Sequence, residues 1–160
     1  MKVKTAIIGA GSAGLSALRR VKRQTEDYVI IDHGPLGTKC ARVGCMPSKA
    51  LISAANDFDR RRFFTSQGIK GSAQLSADIP LVLQFVRSMR DRFTESMKET
   101  TKKLASDKLI EGTAEITAPG KITVNNTEIE AERIIIAAGA EPRVPDDWKK
   151  FGDRILTTDT

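Results

Sequence analysis

Six residues constrain this chain more than any others. Gly9-Ala10-Gly11-Ser12-Ala13-Gly14 follows a short β-branched run at residues 3–8. It opens a stretch, residues 13–24, in which Leu15, Leu18 and Val21 recur at helical spacing. A glycine turn between a buried strand and an amphipathic helix presents free amide hydrogens and the positive end of the helix dipole to an anion. Gly9 allows the tight turn, Gly11 lets the backbone approach a pyrophosphate, and Gly14 lets the helix pack close to the sheet. Residues 28–31 form a second apolar run ending at Asp32, 18 residues beyond Gly14. That is near the ~20-residue spacing at which an acidic side chain meets the ribose hydroxyls of a bound adenosine. Residues 1–32 therefore predict one βαβ unit with parallel strands and a dinucleotide site.

The rest of the composition removes rival classes. The 160 residues amount to one domain's worth of chain. The net charge of +6 suits an anionic ligand as well as it suits nucleic acid. Aromatic residues, at 5%, are too few for a base-stacking platform, so no nucleic-acid partner is expected. Cys40, Cys45 and His33 cannot build the usual four-ligand zinc site, and no metal is expected. Two cysteines do not make a secreted disulfide scaffold either. The apolar stretches at residues 5–18 and 134–140 are broken by glycine or too short to cross a bilayer. No membrane partner and a cytoplasmic location are the expectation.

Downstream, residues 33–44 read as a glycine-punctuated loop. A helix begins near Cys45, with Pro47 in the first turn, where no amide hydrogen is missed. Leu51, Ala54, Ala55 and Phe58 make its expected buried stripe, and Arg60, Arg61 and Arg62 a solvated face near its end. Gly68 and Gly71 bracket a connection. A long helix follows, capped by Asp78 with Pro80 at its start. Val82, Phe85, Val86, Met89, Phe93, Met97 and Leu104 continue one apolar stripe for about seven turns, or roughly 40 Å. Lys98, Lys102 and Lys103 favour its C-terminal end. After Lys108 the pattern changes to short strands. Residues 109–116 alternate weakly, and 121–124 and 128–130 flank an Asn125-Asn126-Thr127 turn. Residues 133–137 form a buried strand ending in Ala138-Gly139.

Four residues separate Cys40 from Cys45. On spacing alone the two are either buried bystanders or a redox pair. A helix start at Cys45 favours the thiolate there. Gly44 gives the backbone freedom to bring two sulfurs within disulfide range.

Residues 37–51 read Gly37-Thr38-Lys39-Cys40-Ala41-Arg42-Val43-Gly44-Cys45-Met46-Pro47-Ser48-Lys49-Ala50-Leu51. This stretch resembles the redox-active disulfide signature of the class I pyridine nucleotide–disulfide oxidoreductases, and among them the dihydrolipoamide dehydrogenase type. Ile134-Ile135-Ile136-Ala137-Ala138-Gly139-Ala140-Glu141-Pro142 is similar to the second FAD-domain motif of that family. The resemblance implies an α/β, Rossmann-like FAD-binding domain with a parallel sheet, a β-meander and a long helical pair. It implies that residues 1–160 are the N-terminal segment of that domain, an incomplete domain. The NAD-binding and dimer-interface domains would be absent from this chain.

The resemblance also implies roles. Gly9, Gly11, Ser12, Ala13 and Gly14 would hold the FAD pyrophosphate, and Asp32 the adenosine ribose. Gly37, Thr38, Cys40 and Gly44 would run along the cofactor. Cys40 would exchange with the dithiol substrate, Cys45 would lie against the flavin as a charge-transfer thiolate, and Lys49 would sit near the reactive flavin nitrogen. Gly112 and Ala114 would touch the adenine through their backbone, and Ala138 and Gly139 would pass near the cofactor. His33 is expected beside the ribose site as a loop residue, and Met46 and Trp148 as packing residues. Three positions depart from the family's pattern: Lys39 follows Gly37-Thr38 where Gly-Gly-Thr is usual, Asp32 stands where glutamate is common, and Ala138 replaces a threonine.

The complete enzyme would oxidise dihydrolipoamide, free or on a lipoyl domain. Electrons would pass through a Cys40–Cys45 disulfide to FAD and then to NAD, in a homodimer. The 160 residues alone are expected to show no turnover. The alternatives are a mercuric-reductase-like flavoenzyme, and a non-catalytic nucleotide-binding module with structural cysteines.

Overall fold

The computed structural model describes residues 1–157 and 159. Strand β1 (Lys2–Ile8) and strand β2 (Tyr28–Asp32) pair in parallel, Ile7 opposite Ile30, with helix α1 (Ser12–Val21) crossing between them. Residues 28–31 are all buried, which is why β2 reads as a continuous apolar run and not an alternating one. In α1, Leu15, Leu18 and Val21 are buried while Arg19 and Arg20 stay exposed. The helix stops at Val21, short of the expected Gln24. Arg23 and Gln24 instead bond to Arg20 and Val21 in three-residue turns.

The expected loop at 33–44 contains a short helix, α2 (Lys39–Arg42), and helix α3 (Cys45–Asp59) follows directly. Helix α4 (Ile79–Ala105) has 27 residues, or about 40 Å. The Asp78 carboxylate caps it by accepting from the Leu81 amide at 3.0 Å. Strand β3 (Leu109–Glu111) pairs in parallel with β2. Strands β4 (Glu115–Ala118), β5 (Lys121–Val124) and β6 (Thr127–Ile136) then form a meander. The sheet order is β3-β2-β1-β6-β5-β4, and β6 also runs parallel to β1, from Lys2 opposite Glu130 to Ile8 opposite Ile136. This is the expected α/β architecture.

Two strand readings change. Residues 109–116 are two strands on opposite edges of the sheet, broken at 112–114. Residues 128–130 and 133–137 join in one strand of ten residues, because β6 serves two neighbours at once. The turn before it uses Asn125 and Asn126 at φ +47° and +61°, the conformation that two-residue hairpins favour. Thr127 already belongs to β6, opposite Val124.

The core has two halves. In one, Val3, Ala6, Val29 and Ile31 cluster with Ile122, Val124, Ile129 and Ala131 of the meander. In the other, Ile7, Tyr28 and Ile30 pack with Leu15, Leu18, Val21 and Ala105. Helix α4 reaches this second core only with its last turns, where Thr101 and Ala105 are fully buried. Its first turns lie along α3 away from the sheet. The stripe expected to be buried in α3 is therefore open: no α3 residue is buried, and Leu51 is 42% exposed. Among the described residues, no helix is long and apolar enough to cross a membrane.

Candidate cofactor cleft and cysteine pair

The carboxyl ends of β1, β2 and β6 meet at the glycine turn. The Gly9 amide donates to the Ile31 carbonyl at 2.7 Å, and the Ala137 amide donates to the Ile8 carbonyl at 2.7 Å. A Cβ on Gly9 would lie 2.2 Å from the Ala137 carbonyl oxygen, and one on Gly14 only 1.7 Å from the Gly9 oxygen, so both positions exclude a side chain. At Gly11 nothing lies within 4 Å of where a Cβ would be. That space belongs to a cleft of about 550 Å³ at the strand ends.

Asp32 fixes one wall. Its Oδ2 accepts from the Ala10 amide at 2.5 Å and its Oδ1 from the Gly34 amide at 2.7 Å. A carboxylate oxygen has two lone pairs, so both retain capacity for a hydroxyl donor. A second wall comes from residues 112–114, held where the Gly112 amide donates to the Asp32 carbonyl at 2.9 Å. The β5–β6 turn braces it, with Asn125 Nδ2 donating to the Glu111 carbonyl at 2.8 Å.

Helix α2 makes the third wall. Thr38 caps it at φ +57°, a strained value for a β-branched residue, and is 6% exposed. Thr38 Oγ1 accepts from the Ala41 amide at 3.2 Å, which leaves its hydroxyl proton to donate elsewhere. Lys39 Nζ donates to the Ala140 carbonyl at 2.5 Å and pairs with Asp159 at 2.5 Å, drawing the segment after β6 over the cleft.

The structure thus brings Gly9, Gly11, Asp32, Thr38, Gly112, Ala114, Ala138 and Gly139 to one cleft, with His33 exposed at its rim. The other expected residues do not line it. Gly14 and Gly37 are buried behind it, and Ser12 and Ala13 are exposed on the first turn of α1. Cys40, Gly44, Cys45 and Lys49 sit on the α2–α3 segment outside the lining. Trp148, expected to pack, is 51% exposed. Lys39 and Arg42 line the cleft and were not expected there. Their signal was the helical turn itself: Arg42 is four residues beyond Thr38 and donates its amide to the Thr38 carbonyl at 3.1 Å.

Both cysteines are free thiols, Cys40 half-buried and Cys45 exposed as the first residue of α3. The joint between helices is tight: the Val43 and Gly44 amides both donate to the Lys39 carbonyl, at 3.0 and 3.1 Å. Ser48 Oγ donates back to the Gly44 carbonyl at 2.9 Å. A hydrogen bond with Cys45 pushes the Cys40 thiol above its ordinary pKa, as does burial, while the Lys49 cation pulls it down. The pair is therefore electrostatically coupled, and Lys49 reaches it through charge.

The sequence profile described as pyridine nucleotide-disulphide oxidoreductase matches residues 3–158. The chain is 32% identical over 142 residues to a dihydrolipoyl dehydrogenase of Bacillus subtilis, covering 86% of this chain and 31% of that protein. It is 31% identical over 149 residues to a dihydrolipoyl dehydrogenase of Pseudomonas aeruginosa, covering 88% and 32%. A mercuric reductase of Bacillus cereus is 32% identical over 144 residues, covering 87% of this chain and 22% of that protein. The chain therefore spans about a third or less of the curated relatives it matches. Among solved structures, a flavoprotein disulfide reductase of Escherichia coli, in a Cu(II) complex, aligns with a TM-score of 0.65 at 22% identity. It covers 91% of this chain and 30% of that one, and the likeness concerns the fold.

Proposed function

The chain belongs to the pyridine nucleotide-disulphide oxidoreductase family, and from that membership we propose that it is the FAD-binding, dithiol-carrying part of a dihydrolipoamide dehydrogenase. One juxtaposition carries the reading: the segment that walls the dinucleotide cleft, Thr38 to Val43, is the same segment that holds Cys40 against Cys45.

The cleft's chemistry fits a dinucleotide. The open space at Gly11, the first-turn amides of α1 and the free proton of Thr38 suit a pyrophosphate, and Asp32 suits ribose hydroxyls. FAD, when bound, supplies a two-electron relay between the protein dithiol and the nicotinamide. The chain's own step is thiol–disulfide exchange. A substrate thiolate attacks Cys40 Sγ in the oxidised pair, a Cys40–substrate S–S bond forms, and Cys45 leaves as a thiolate. The second substrate thiolate then attacks the substrate sulfur of that bond. The substrate departs as a disulfide, Cys40 takes up a proton, and both electrons stay on the protein. The raised Cys40 pKa favours that uptake, and the Lys49 cation favours the thiolate charge on the pair.

NAD as acceptor, a lipoyl-domain or free dihydrolipoamide substrate, a homodimer, and nicotinamide-binding and interface domains outside these residues complete the proposal. The Bacillus cereus relative favours mercuric reduction as the second reading. The test is to reconstitute the protein with FAD and count thiols with an aromatic disulfide reagent before and after mild oxidation. The expected result is saturable FAD binding and loss of two thiols restored by reduced dihydrolipoamide. Absence of FAD binding together with an unchanged thiol count would overturn the reading.

A further inference from the structure

We infer that Arg42 is a phosphate-binding residue of this chain, donating from its guanidinium to the pyrophosphate of the dinucleotide that occupies the cleft. The inference rests on the dinucleotide reading given above.

Two cations, Lys39 and Arg42, stand on the α2 wall of the cleft that the glycine turn also lines. They are not equivalent. Lys39 is committed to the protein, through the Ala140 carbonyl and Asp159. Arg42 is not: no ion pair among the described residues includes it. Its Nε is buried without a hydrogen-bond partner, alone among buried side-chain nitrogens and oxygens of the described residues. A buried guanidinium donor left unpaired is costly, and such groups are normally satisfied by something.

Of the three acids that line the cleft, Glu141 is exposed and forms no ion pair with Arg42, and the other two are engaged elsewhere. Both Asp32 oxygens accept from backbone amides, and Asp159 pairs with Lys39. Arg42 also sits one helical turn from Thr38, whose hydroxyl proton remains available to an acceptor. A planar guanidinium one helical turn from a hydroxyl donor, in a cleft that Gly9, Ala10 and Gly11 also line, is a donor set for an anion with several oxygens. A pyrophosphate meets that description, and a flavin or adenine ring does not. The local departure at Lys39 fits the same account: by tying down the segment at Ala140, it leaves the phosphate contact to the side chain one turn away.

The test measures ligand binding, not turnover. Wild type, Arg42→Gln and Arg42→Lys are titrated with FAD, ADP-ribose, riboflavin and adenosine by fluorescence and calorimetry, at low and high salt. Arg42→Gln is expected to weaken FAD and ADP-ribose about ten- to hundredfold, the range for a charge-assisted hydrogen bond. Arg42→Lys should recover part of the loss, the salt dependence should flatten in Arg42→Gln, and riboflavin and adenosine should be unaffected. If wild type binds FAD and both variants, folded by circular dichroism, bind it equally, the inference is overturned and the flavoprotein reading stands. A loss shared equally by riboflavin and adenosine, or a shifted Cys40 alkylation profile with unchanged FAD affinity, also overturns it. If wild type binds neither FAD nor ADP-ribose, the reading beneath it fails as well.

Discussion

The sheet with its covering layers and the α3–α4 arm both carry large apolar side chains, and these end in different states. In the first, Ile7, Leu18, Ile30 and Ile122 have no exposed surface. In the second, Ile79, Leu81 and Phe85 are 59%, 61% and 48% exposed. A groove of about 720 Å³ lies in the arm, lined by Leu51, Ala54, Phe58, Ile79 and Val82. No residue of β1, β2 or β6 lines it, whereas the cleft at the strand ends is lined by Ile8, Ile31 and the glycine turn. The arm carries local surface contacts: the Asp78 cap, the Arg62–Asp59 pair at 2.6 Å, and the Arg61 guanidinium 4.1 Å from the Phe58 ring centre. Periodicity tells which face of a helix is apolar, whereas burial depends on what lies across from it.

The sharpest way to break this contrast is at the glycine turn. Gly14→Val places side-chain atoms where the Gly9 carbonyl already stands, 1.7 Å from the ideal Cβ. The expected cost is about 4 kcal/mol or more, together with loss of FAD binding, read by urea denaturation and flavin fluorescence. A variant of wild-type stability would show that α1 can move off the sheet. The next largest effect is Leu18→Ala, at about 2–5 kcal/mol for a fully buried leucine. Its counterpart Leu81→Ala should change stability by less than about 0.5 kcal/mol. Equal losses in the two would mean that the arm is buried in solution and the contrast is false.

How far the sequence could be read follows the same division. The βαβ unit was legible because a short strand, a glycine turn and an acidic strand end leave one arrangement, and Gly9, Gly11 and Asp32 do meet in one cleft. The pairing partners of β3 and β4 were not. A weak alternation over eight residues carries no sign that its halves go to opposite edges of the sheet. Helix α2 was missed because four residues with two cations show no apolar period, and with it Lys39 and Arg42. Cys40 and Cys45 were found by motif, and their adjacency in space comes from the α2–α3 joint, which spacing alone did not supply.

A smaller effect separates local from global stability. Asp78→Ala removes the cap of α4 and is expected to cost the arm about 1 kcal/mol. Hydrogen exchange should speed up in the first turns of α4 and not in β1 or β2, because the arm opens without the sheet. Matching acceleration in both regions would show one cooperative unit.

The smallest predicted effect lies where the two regions join. Cys45 and Lys49 open α3, while Cys40 belongs to the wall of the cleft. The Cys40 thiol is pushed up by its hydrogen bond to Cys45 and by burial, and Lys49 opposes this. Removing the cation in Lys49→Met takes away a favourable neighbour of the thiolate, so the Cys40 pKa must rise further. Alkylation of Cys40 in a Cys45→Ser background would confound this, since Cys45 is the largest cause of the shift. The measurement is therefore mass-resolved alkylation of Cys40 against pH in the otherwise native chain. Its midpoint should lie above the ordinary thiol value in wild type and higher still in Lys49→Met. A midpoint that stays put would place Lys49 out of electrostatic reach of Cys40 and leave α3 coupled to the cleft only through its backbone.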